Sequence, residues 1–399
     1  MNSLSTTSSE NDGSLSPSIR VLVVFGGIPL YGQERANIEV FRSLKACGVK
    51  AVFLTNKGWG RIAVEPFLNE LNLEWRPARF GPPVGRGTVA TWLAIGWGVI
   101  ATSWCALRVA SRFRPTHIYA LNWSYWVYVL PFLLFTRCPV IYRLGDEPPV
   151  HTWMHRLLWK LIYWKCRRVV CISNYIKDRA ASASGDATKL TVIYNYPPAR
   201  IPVKKRLQLT KPSGEVAIVF LGQISKEKGI EEFFRAAIEL IHRNFKIVCW
   251  IAGESEWQNP LAQRLINEAM EAGLADRIVF LGYVDDVQTL LAKADIHACP
   301  SVWNEPLTNV ILEAKSAGIP TVAFPVGGIP ELIEHKIDGF LCRAATTEAL
   351  IEGLEYFVGN AEARTIAGKK AQLSLERNFG FPRFQRQWVE VFRDTMTQC

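Results

Sequence analysis

Residues 296–334 constrain the fold more than any other stretch, because apolar runs and turn residues alternate there at short intervals. Ile296 to Cys299 is a short apolar run, which is typical of a strand buried on both faces. A helix is predicted from near Thr308, a usable N-cap residue. It ends at Gly318, and Thr321 to Phe324 forms the next strand. This order of elements indicates an α/β fold.

Two glutamates frame the start of the predicted helix. Glu305 lies in the loop before it and Glu313 lies inside it. A helix N-terminus has unpaired N–H groups and the positive end of the dipole, so it suits a phosphate group. Carboxylates beside it would repel phosphate, and we expect them to accept hydrogen bonds from hydroxyls. A sugar nucleotide offers both groups; the alternative is two solvated surface glutamates.

A strand, a glycine loop and a helix also open the chain. Arg20 to Phe25 is an apolar strand run, Gly26 and Gly27 follow, and a helix is predicted through Leu44. This is the first βα unit of a nucleotide-binding type of sheet. Glycine lets a ligand approach the backbone closely, although any βα turn can contain it.

Further strands predict a parallel, doubly wound sheet in the first half of the chain. They are Ala51 to Leu54, His117 to Leu121 and Val140 to Leu144. Asp146 and Glu147 follow the last of these, at the edge where open α/β sheets bind ligands. They are candidates for hydroxyl or acid–base contacts, with simple solvation of a loop as the alternative.

A second sheet is predicted to begin at Val216 to Leu221. The loop after this strand contains Lys228, and a helix follows from about Glu231. A lysine at a helix N-terminus provides a point charge for phosphate. A lone lysine is more often simply solvated.

The Glu305–Glu313 pair is followed by a Glu-Ala-x-x-x-Gly-x-Pro helix exit and a Gly-Gly-x-Pro-Glu turn. This combination resembles the donor site of the retaining glycosyltransferases of family 4. The resemblance implies that Glu313 bonds the donor ribose and that Glu305 meets the transferred sugar. The implied catalytic residues are Glu305, Lys228 and Asp146, and the implied donor-binding residues are Gly26, Gly27, Gln223, Lys228, Glu305, Leu307, Thr308, Asn309 and Glu313.

This chain departs from the family pattern at two positions. Gln223 stands where the family has an arginine on the donor diphosphate, so one cation is lost. Gly145 stands where many relatives have a histidine that touches the transferred sugar, and His151 is a nearby substitute. The lost cation implies a donor affinity that differs from the family norm, and both departures favour the alternative of a non-catalytic binding protein.

The resemblance implies two Rossmann-like doubly wound domains facing each other across a cleft, the GT-B arrangement. The C-terminal helix, predicted from Phe381 to Met396 on its apolar spacing, would cross back to the first domain. The expected divisions are a disordered tail at 1–17, an acceptor-side domain at 18–200, a linker at 201–215, a donor-binding domain at 216–378 and the final helix at 379–399.

The implied reaction moves a sugar from a nucleotide-diphosphate donor to a carbohydrate or lipid-linked acceptor, with retention of anomeric configuration. We expect a role in cell-envelope, polysaccharide or glycolipid synthesis, with no cofactor and no obligatory metal. The alternatives are a phosphorylase or polymer synthase of the same fold, and a non-catalytic binding protein that kept the fold. No recognised nucleic-acid motif is present, so we expect no such partner.

Charge and cysteine usage bear on location. The 399-residue chain has a net charge of +10 and nine scattered cysteines without a Cys-x-x-Cys pair, which favours a reducing cytoplasm. Segment 151–168 has five cations, several indoles and no acidic residue, so an anionic membrane surface is a candidate partner and the inner face of the membrane a candidate location. For segment 151–168, an ordinary core helix is the favoured alternative.

The stretch Gly87 to Leu107 is uncharged and long enough to span a membrane. We favour a buried or interfacial helix there over a transmembrane one.

Overall fold

Two parallel sheets form the framework of the chain. The computed structural model describes residues 18–26, 32–56, 64–81, 88–197, 207–253 and 259–396. Seven strands make the first sheet, in the order β3-β2-β1-β4-β5-β6-β7, and six make the second, in the order β10-β9-β8-β11-β12-β13. Helices alternate with strands in both halves, which confirms the α/β prediction with two doubly wound sheets.

The first half of the chain supplies the seven-stranded sheet and its helices. Its strands are β1 (Arg20–Gly26), β2 (Lys50–Asn56), β3 (Glu74–Ala78), β4 (His117–Leu121), β5 (Val140–Leu144), β6 (Cys166–Cys171) and β7 (Leu190–Val192). Its helices are α1 (Gly32–Lys45), α2 (Val64–Glu70), α3 (Val89–Phe113), α4 (Trp123–Phe135), α5 (Trp153–Lys165) and α6 (Asn174–Ser184).

The second half supplies the six-stranded sheet. Its strands are β8 (Val216–Leu221), β9 (Ile247–Ala252), β10 (Ile278–Gly282), β11 (Ile296–Cys299), β12 (Thr321–Ala323) and β13 (Gly339–Leu341). Its helices are α7 (Ile230–His242), α8 (Pro260–Glu271), α9 (Val287–Lys293), α10 (Asn309–Ala317), α11 (Thr347–Val358), α12 (Ala361–Phe379) and α13 (Phe381–Met396), with a 3₁₀ turn at Ile329–Glu331.

Strand order determines where a ligand can bind. The order reverses between β8 and β11 in the second sheet and between β1 and β4 in the first. Crossover connections leave in opposite directions at such a point, so a crevice opens at the carboxyl ends of the two strands. The loops after β8 and β11 contain Lys228 and Glu305, respectively. The fold therefore brings together two residues, Lys228 and Glu305, that are 77 positions apart in sequence.

Helix α13 packs on the first sheet although it ends the chain. Its apolar side chains Phe384, Trp388 and Phe392 share a buried cluster with strand residues of β1 and β4 and with Phe41 of α1. The spacing of these side chains, three to four residues, puts them on one face of a helix.

Hydrogen bonds also cross between the two halves. The Glu331 carboxylate accepts bonds from the backbone N–H groups of Asn174 and Tyr175 at 2.8 and 2.7 Å, and from the Tyr194 hydroxyl at 2.7 Å. The two N–H groups belong to the first turn of α6, where the helix leaves donors unpaired. The Ser173 hydroxyl, which caps α6, also donates to the Pro306 carbonyl at 2.6 Å.

The start of one strand and the existence of another differ from the sequence prediction. Strand β6 begins at Cys166, which pairs with Val140 of β5, so Arg167 and Arg168 belong to a strand and not to the preceding helix. Pairing with a neighbouring strand outweighed the helical pattern there. Strand β3 was not predicted, because Pro77 and the charged residues around it obscure its pattern; it lies at the sheet edge, where proline is tolerated.

The chain changes sheet between β7 and β8, and residues 207–215 contain no helix or strand. The remaining linker residues and the predicted tail at 1–17 lie outside the described residues. The expected domain boundaries stay a prediction.

Helix α10, which carries Glu313, is anchored by a buried ion pair. The Lys315 Nζ atom lies 2.5 Å from the Asp338 carboxylate, and both side chains are almost fully buried. Asp338 also accepts a bond from the backbone N–H of Glu334 at 2.9 Å. Removing one partner of such a pair leaves an uncompensated buried charge.

We expect Lys315→Ala to lower the free energy of unfolding by about 3–5 kcal/mol, because it leaves the buried Asp338 charge without a partner cation. The double variant Lys315→Met with Asp338→Asn removes both charges and keeps an acceptor for the Glu334 amide, and it should recover much of that loss. Urea unfolding measures both, with exposed Lys369→Ala as control. A loss below about 1 kcal/mol for Lys315→Ala would contradict this role for the pair.

Candidate functional site

A cavity of about 320 Å³ lies between the carboxyl edges of the two sheets. Residues of both halves line it. From the first half come Gln33, Asn37, Arg143, Gly145, Asp146 and Asn195, and from the second Gly222, Gln223, Lys228, Ser301, Glu305, Leu307, Thr308 and Asn309. Most of the residues singled out in the sequence therefore meet in one place.

An ion pair between Lys228 and Glu305 lies at this cavity. The Lys228 Nζ atom is 2.5 Å from Oε1 of Glu305, and the Ser301 hydroxyl donates to the same oxygen at 3.0 Å. Glu305 is 6% exposed, whereas a third of the Lys228 side chain reaches solvent. The lysine is thus the accessible partner, held by a buried carboxylate that has a second hydrogen bond.

Glycines hold the two loops that carry this pair. Gly229 has a φ of +69°, and a Cβ there would lie 1.7 Å from the Pro300 carbonyl oxygen. Gly327 has a φ of +57°, and a Cβ there would lie 2.1 Å from the Glu305 carbonyl oxygen. Only glycine tolerates both the left-handed conformation and such a close approach. The Gly-Gly turn seen in the sequence therefore positions the Glu305 backbone.

The N-terminus of α10 faces the same cavity. Thr308 occupies the N-cap position as predicted, but its side chain makes no capping bond. Its buried hydroxyl oxygen has no hydrogen-bond partner among the described residues. A buried polar atom without a partner is uncommon in folded proteins. Together with the free N–H groups of a first helical turn, this hydroxyl can serve an anionic ligand in the cavity.

Asp146 contributes a second carboxylate to the cavity. Although Asp146 is exposed, the protein atoms around its carboxyl group raise the pKa of that group; a hydrogen bond from Gln33 lowers this pKa, and the Glu305 charge raises it. A Cβ on Gly145 would lie 2.8 Å from the Gln33 side-chain nitrogen. The Gln33 amide thus fills the space beside Gly145, the position at which many relatives have a histidine.

Glu147, the residue after Asp146, accepts a hydrogen bond from the Tyr175 hydroxyl and forms an ion pair with Arg179 at 3.2 Å, so it is not simply a solvated loop residue.

Glu313 does not line the cavity. It is partly buried on α10, and burial raises the pKa of its carboxyl to about 7, with the Arg35 guanidinium acting in the opposite direction. Arg35 belongs to the first half of the chain, and its side chain also donates to the Tyr283 hydroxyl at 3.3 Å. A carboxyl that titrates near neutral pH can accept or donate a hydrogen bond, depending on its protonation.

Four other predicted donor-binding residues belong to the described part of the chain, and three of them line the cavity. Gly26 does not line the cavity. A Cβ there would lie 2.2 Å from the Tyr125 ring, so the absence of a side chain at Gly26 lets this ring pack against the backbone. Gly27 lies outside the described residues. Asn309 accepts a bond from Asn195 at 2.6 Å and donates one to the Gly32 carbonyl at 3.2 Å. Its side chain therefore joins the two halves of the chain. Gln223 and Leu307 line the cavity as expected.

Arg143 and Gln33 line the cavity but were not predicted from the sequence. Arg143 is 2% exposed; it donates to the Ala36 carbonyl at 2.7 Å and to the Asn195 side chain, and its guanidinium lies over the Trp388 ring. Its Nε atom has no partner among the described residues. The signal was an arginine within the apolar strand run Val-Ile-Tyr-Arg-Leu, because buried cations require several acceptors. Gln33 offered no comparable signal.

No three His, Cys, Asp or Glu side chains of the described residues lie close enough together to hold a metal ion. The two carboxylates that line the cavity, Asp146 and Glu305, share it with the ammonium group of Lys228.

The raised pKa of Glu313 predicts a pH-dependent stability. The folded state binds the proton of the Glu313 carboxyl more tightly than the unfolded chain does. The stabilisation that protonated Glu313 contributes to the folded state is therefore complete below the ordinary pKa of 4.5 and is lost as pH rises through about 7. Glu313→Gln cannot lose a proton. Its Tm relative to the parent chain should therefore rise between pH 5 and pH 8, as measured by thermal unfolding.

Glu362→Gln on the exposed surface of α12 controls for the loss of one negative charge. A Tm difference for Glu313→Gln that stays constant from pH 5 to pH 8 would show that the folded protein does not raise this pKa.

Comparison with known families and structures agrees with this geometry. A model of the glycosyl transferases group 1 matches residues 204–374, and a model of glycosyltransferase family 4 matches residues 31–196. An uncharacterized glycosyltransferase of Methanocaldococcus jannaschii is 27% identical over 273 residues, 65% of this chain and 67% of that protein. The N-acetyl-alpha-D-glucosaminyl L-malate synthase of Bacillus anthracis is 26% identical over 52% of this chain and 54% of that protein. The matched regions thus span about half to two thirds of these relatives.

Solved structures share the fold over nearly the full length. HepE of Anabaena in complex with UDP superposes with a TM-score of 0.76 and 20% identity, covering 94% of this chain and all of that one. The sucrose-phosphate synthase of Thermosynechococcus elongatus gives a TM-score of 0.76 and 18% identity, covering 96% and 100%. Two facing doubly wound sheets with both family matches lead to one conclusion: the chain belongs to the family 4 glycosyltransferases and has the GT-B fold.

Proposed function

We propose that this glycosyltransferase moves a sugar from a nucleotide-diphosphate donor to an acceptor with retention of anomeric configuration. The observation that carries the proposal is the convergence of Lys228, Glu305 and the N-terminus of α10 on one cavity between the two sheets. A cation and free helix amides suit a diphosphate, and carboxylates suit sugar hydroxyls. Complexes of HepE with UDP and with UDP-glucose show that a protein of this fold takes such a donor.

Lys228 has the central role in the proposed reaction. Its ammonium group, with the amides of the first turn of α10 and the Thr308 hydroxyl, would stabilise the negative charge that develops on the leaving diphosphate. Glu305 would then exchange its contact with Lys228 for a hydroxyl of the transferred sugar. The Asp146 carboxylate, oriented by Gln33, would hold a sugar or acceptor hydroxyl from the opposite side of the cleft.

Glu313 is proposed to bond the donor ribose. It lies outside the cavity as now shaped, so this contact requires the ribose to extend beyond the Thr308 end of the cavity toward Arg35 and Tyr283. Gln223 lines the cavity but carries no charge. Of the side chains that the loop after β8 presents to the cavity, Lys228 would therefore be the cation available to the diphosphate.

The acceptor is proposed to be a carbohydrate or a lipid-linked sugar of the cell envelope, met at the cytoplasmic side of the membrane. Relatives named as the spore coat protein SA of Bacillus subtilis and the lipopolysaccharide core biosynthesis glycosyltransferase LpsE of Rhizobium meliloti support this choice. They are 26% identical to this chain over 246 and 243 residues, respectively.

Binding of the product UDP separates the roles of the ion pair. Lys228→Met should weaken UDP binding about tenfold or more, because one charged hydrogen bond is worth roughly 1.5–3 kcal/mol. Glu305→Gln frees the lysine from its competing carboxylate, so UDP should bind at least as tightly while turnover falls severely. Calorimetry with the folded variants, beside a transfer assay, measures both effects.

Lys226→Met is the matched control, because Lys226 is an exposed cation of the same loop. The assignment would fail if Lys228→Met bound UDP normally, or if Glu305→Gln kept full turnover.

Metal independence and stereochemistry form a second test. Since the proposal assigns charge stabilisation to Lys228 and the helix amides, excess chelator should leave turnover nearly unchanged. Proton NMR of the first product formed should show the same anomeric configuration as the donor. Loss of activity with rescue by a divalent ion would refute the assigned charge stabilisation, and an inverted product would refute retention. Sugar release that requires added phosphate would indicate a phosphorylase.

A further inference from the structure

Helix α3 has apolar side chains on both of its faces. Ile95, Gly98, Thr102 and Ala106 are buried, and the approach is so close that a Cβ on Gly98 would lie 2.8 Å from the Tyr128 ring of α4. Away from this contact lies a second apolar row at helical spacing, whose members are all more than half exposed: Leu93, Trp97, Ile100, Trp104 and Leu107. Soluble monomers rarely expose such a continuous row, and large exposed patches mark interaction sites.

The exposed row continues onto the neighbouring helices. α3, α4 and α5 all connect strands in the same direction across the sheet, so right-handed crossovers place them on one side of it. Phe135, at the end of α4, is 89% exposed, and the next residue, Thr136, accepts a bond from Lys165 of α5 at 2.9 Å. Trp153, Leu157 and Trp164 are exposed on α5. The prediction of an ordinary core helix therefore accounts only for the inner face of α5, where Trp159 and Ile162 are buried.

Charge is concentrated in the same part of the chain. Residues 75–177 contain fourteen Lys and Arg but only two Asp and Glu, which are Asp146 and Glu147 at the cleft. The rest of the chain has 32 basic and 34 acidic residues. The whole positive excess of the protein therefore belongs to the segment that includes α3, α4 and α5, and it complements an anionic surface.

A groove between β3 and α3 is lined by arginine and aromatic side chains. The groove is a cavity of about 610 Å³, lined by Arg76, Arg108, Arg112, Trp104 and Phe113 among others. Arg76 pairs with Glu74, but Arg108 and Arg112 form no ion pair within the described part of the chain. Trp104 belongs both to the exposed row and to the groove. Unpaired arginines beside an indole suit a phosphate group that is attached to an apolar chain.

Length and composition alone would let α3 cross a membrane, and 22% of its most apolar window is buried. The fold argues against a crossing. α3 connects β3 to β4, and both strands belong to the same parallel sheet. One crossing would put these strands on opposite sides of the bilayer. The helix can instead lie in the plane of the interface, where tryptophan is favoured and arginine reaches the headgroups.

We propose that the outer surface of α3, α4 and α5, with the arginine groove beside α3, docks on a bilayer that contains anionic phospholipid. The apolar row enters the headgroup region and the groove binds a lipid phosphate. This inference does not depend on the proposed transferase reaction.

The experiment is flotation of the purified full-length protein with vesicles of phosphatidylcholine alone or with one quarter phosphatidylglycerol. The protein should float with the anionic vesicles, and less so in 0.5 M salt, since surface charge is screened. Vesicles with bromine on the upper acyl carbons should quench tryptophan fluorescence. Binding to neither vesicle type, or equal binding to both at every salt concentration, would overturn the proposal.

Two variants test the two parts of the surface. Leu93→Gln with Trp97→Gln and Ile100→Gln should abolish flotation. Arg108→Gln with Arg112→Gln should reduce the partition coefficient about 30-fold, at roughly fivefold for each cation near an anionic surface. The matched controls lie on α8 and α12: Met270→Gln with Leu373→Gln, both more than half exposed, and Lys369→Gln with Lys370→Gln. They should float like the parent chain.

UDP binding by every variant shows that the site is intact, so loss of flotation is distinguishable from a misfolded or incorrectly assigned transferase. Normal flotation of both α3 variants would overturn the proposal. So would sedimentation of the parent chain as a dimer that the apolar variant converts to a monomer, because a second copy would then cover this surface.

Discussion

The segment from Glu305 to Asn309 is the constraint on which the site depends, because it is fixed from both halves of the chain. The Gly-Gly turn holds the Glu305 backbone through a bond from the Gly328 amide at 2.7 Å. Ser173 of the first half bonds the Pro306 carbonyl, and Asn195 bonds Asn309. The loop that bears the cavity carboxylate and the helix N-terminus is therefore also the junction between the two sheets. A motion that separated the two sheets at this point would break these contacts.

Glu305, the first residue of this segment, forms the ion pair with Lys228 that lies at the cavity. In the protein without ligand, the carboxylate balances the lysine charge in a partly buried place, where an isolated cation would be costly. In the proposed reaction, a donor diphosphate would bring its own negative charge and pair with the lysine, which would release Glu305 to accept a hydroxyl. Binding of the donor and release of the carboxylate would then be coupled by electrostatics.

The sequence was sufficient for the fold and for most of the site because periodicity and turn chemistry are local. Buried strand runs, Gly318 at the end of α10 and the apolar spacing of α13 are all visible within a few residues. The start of β6 and the existence of β3 could not be predicted in this way, because both depend on pairing with strands that are distant in sequence. The same limit explains the site: Lys228 and Glu305 could be proposed one by one, but their ion pair, the space taken by Gln33 beside Gly145 and the bridging role of Asn309 are contacts between distant segments. The two-sided apolar character of α3 likewise required knowledge of which face packs on α4.

The most direct test of the central claim is a crystal structure of the protein with an intact, non-hydrolysable nucleotide sugar. The account predicts that the diphosphate lies within hydrogen-bond distance of the Lys228 ammonium and the first-turn amides of α10, with Glu305 separated from Lys228 and in contact with a sugar hydroxyl. A diphosphate bound elsewhere, or an ion pair that persists unchanged beside the bound donor, would contradict it.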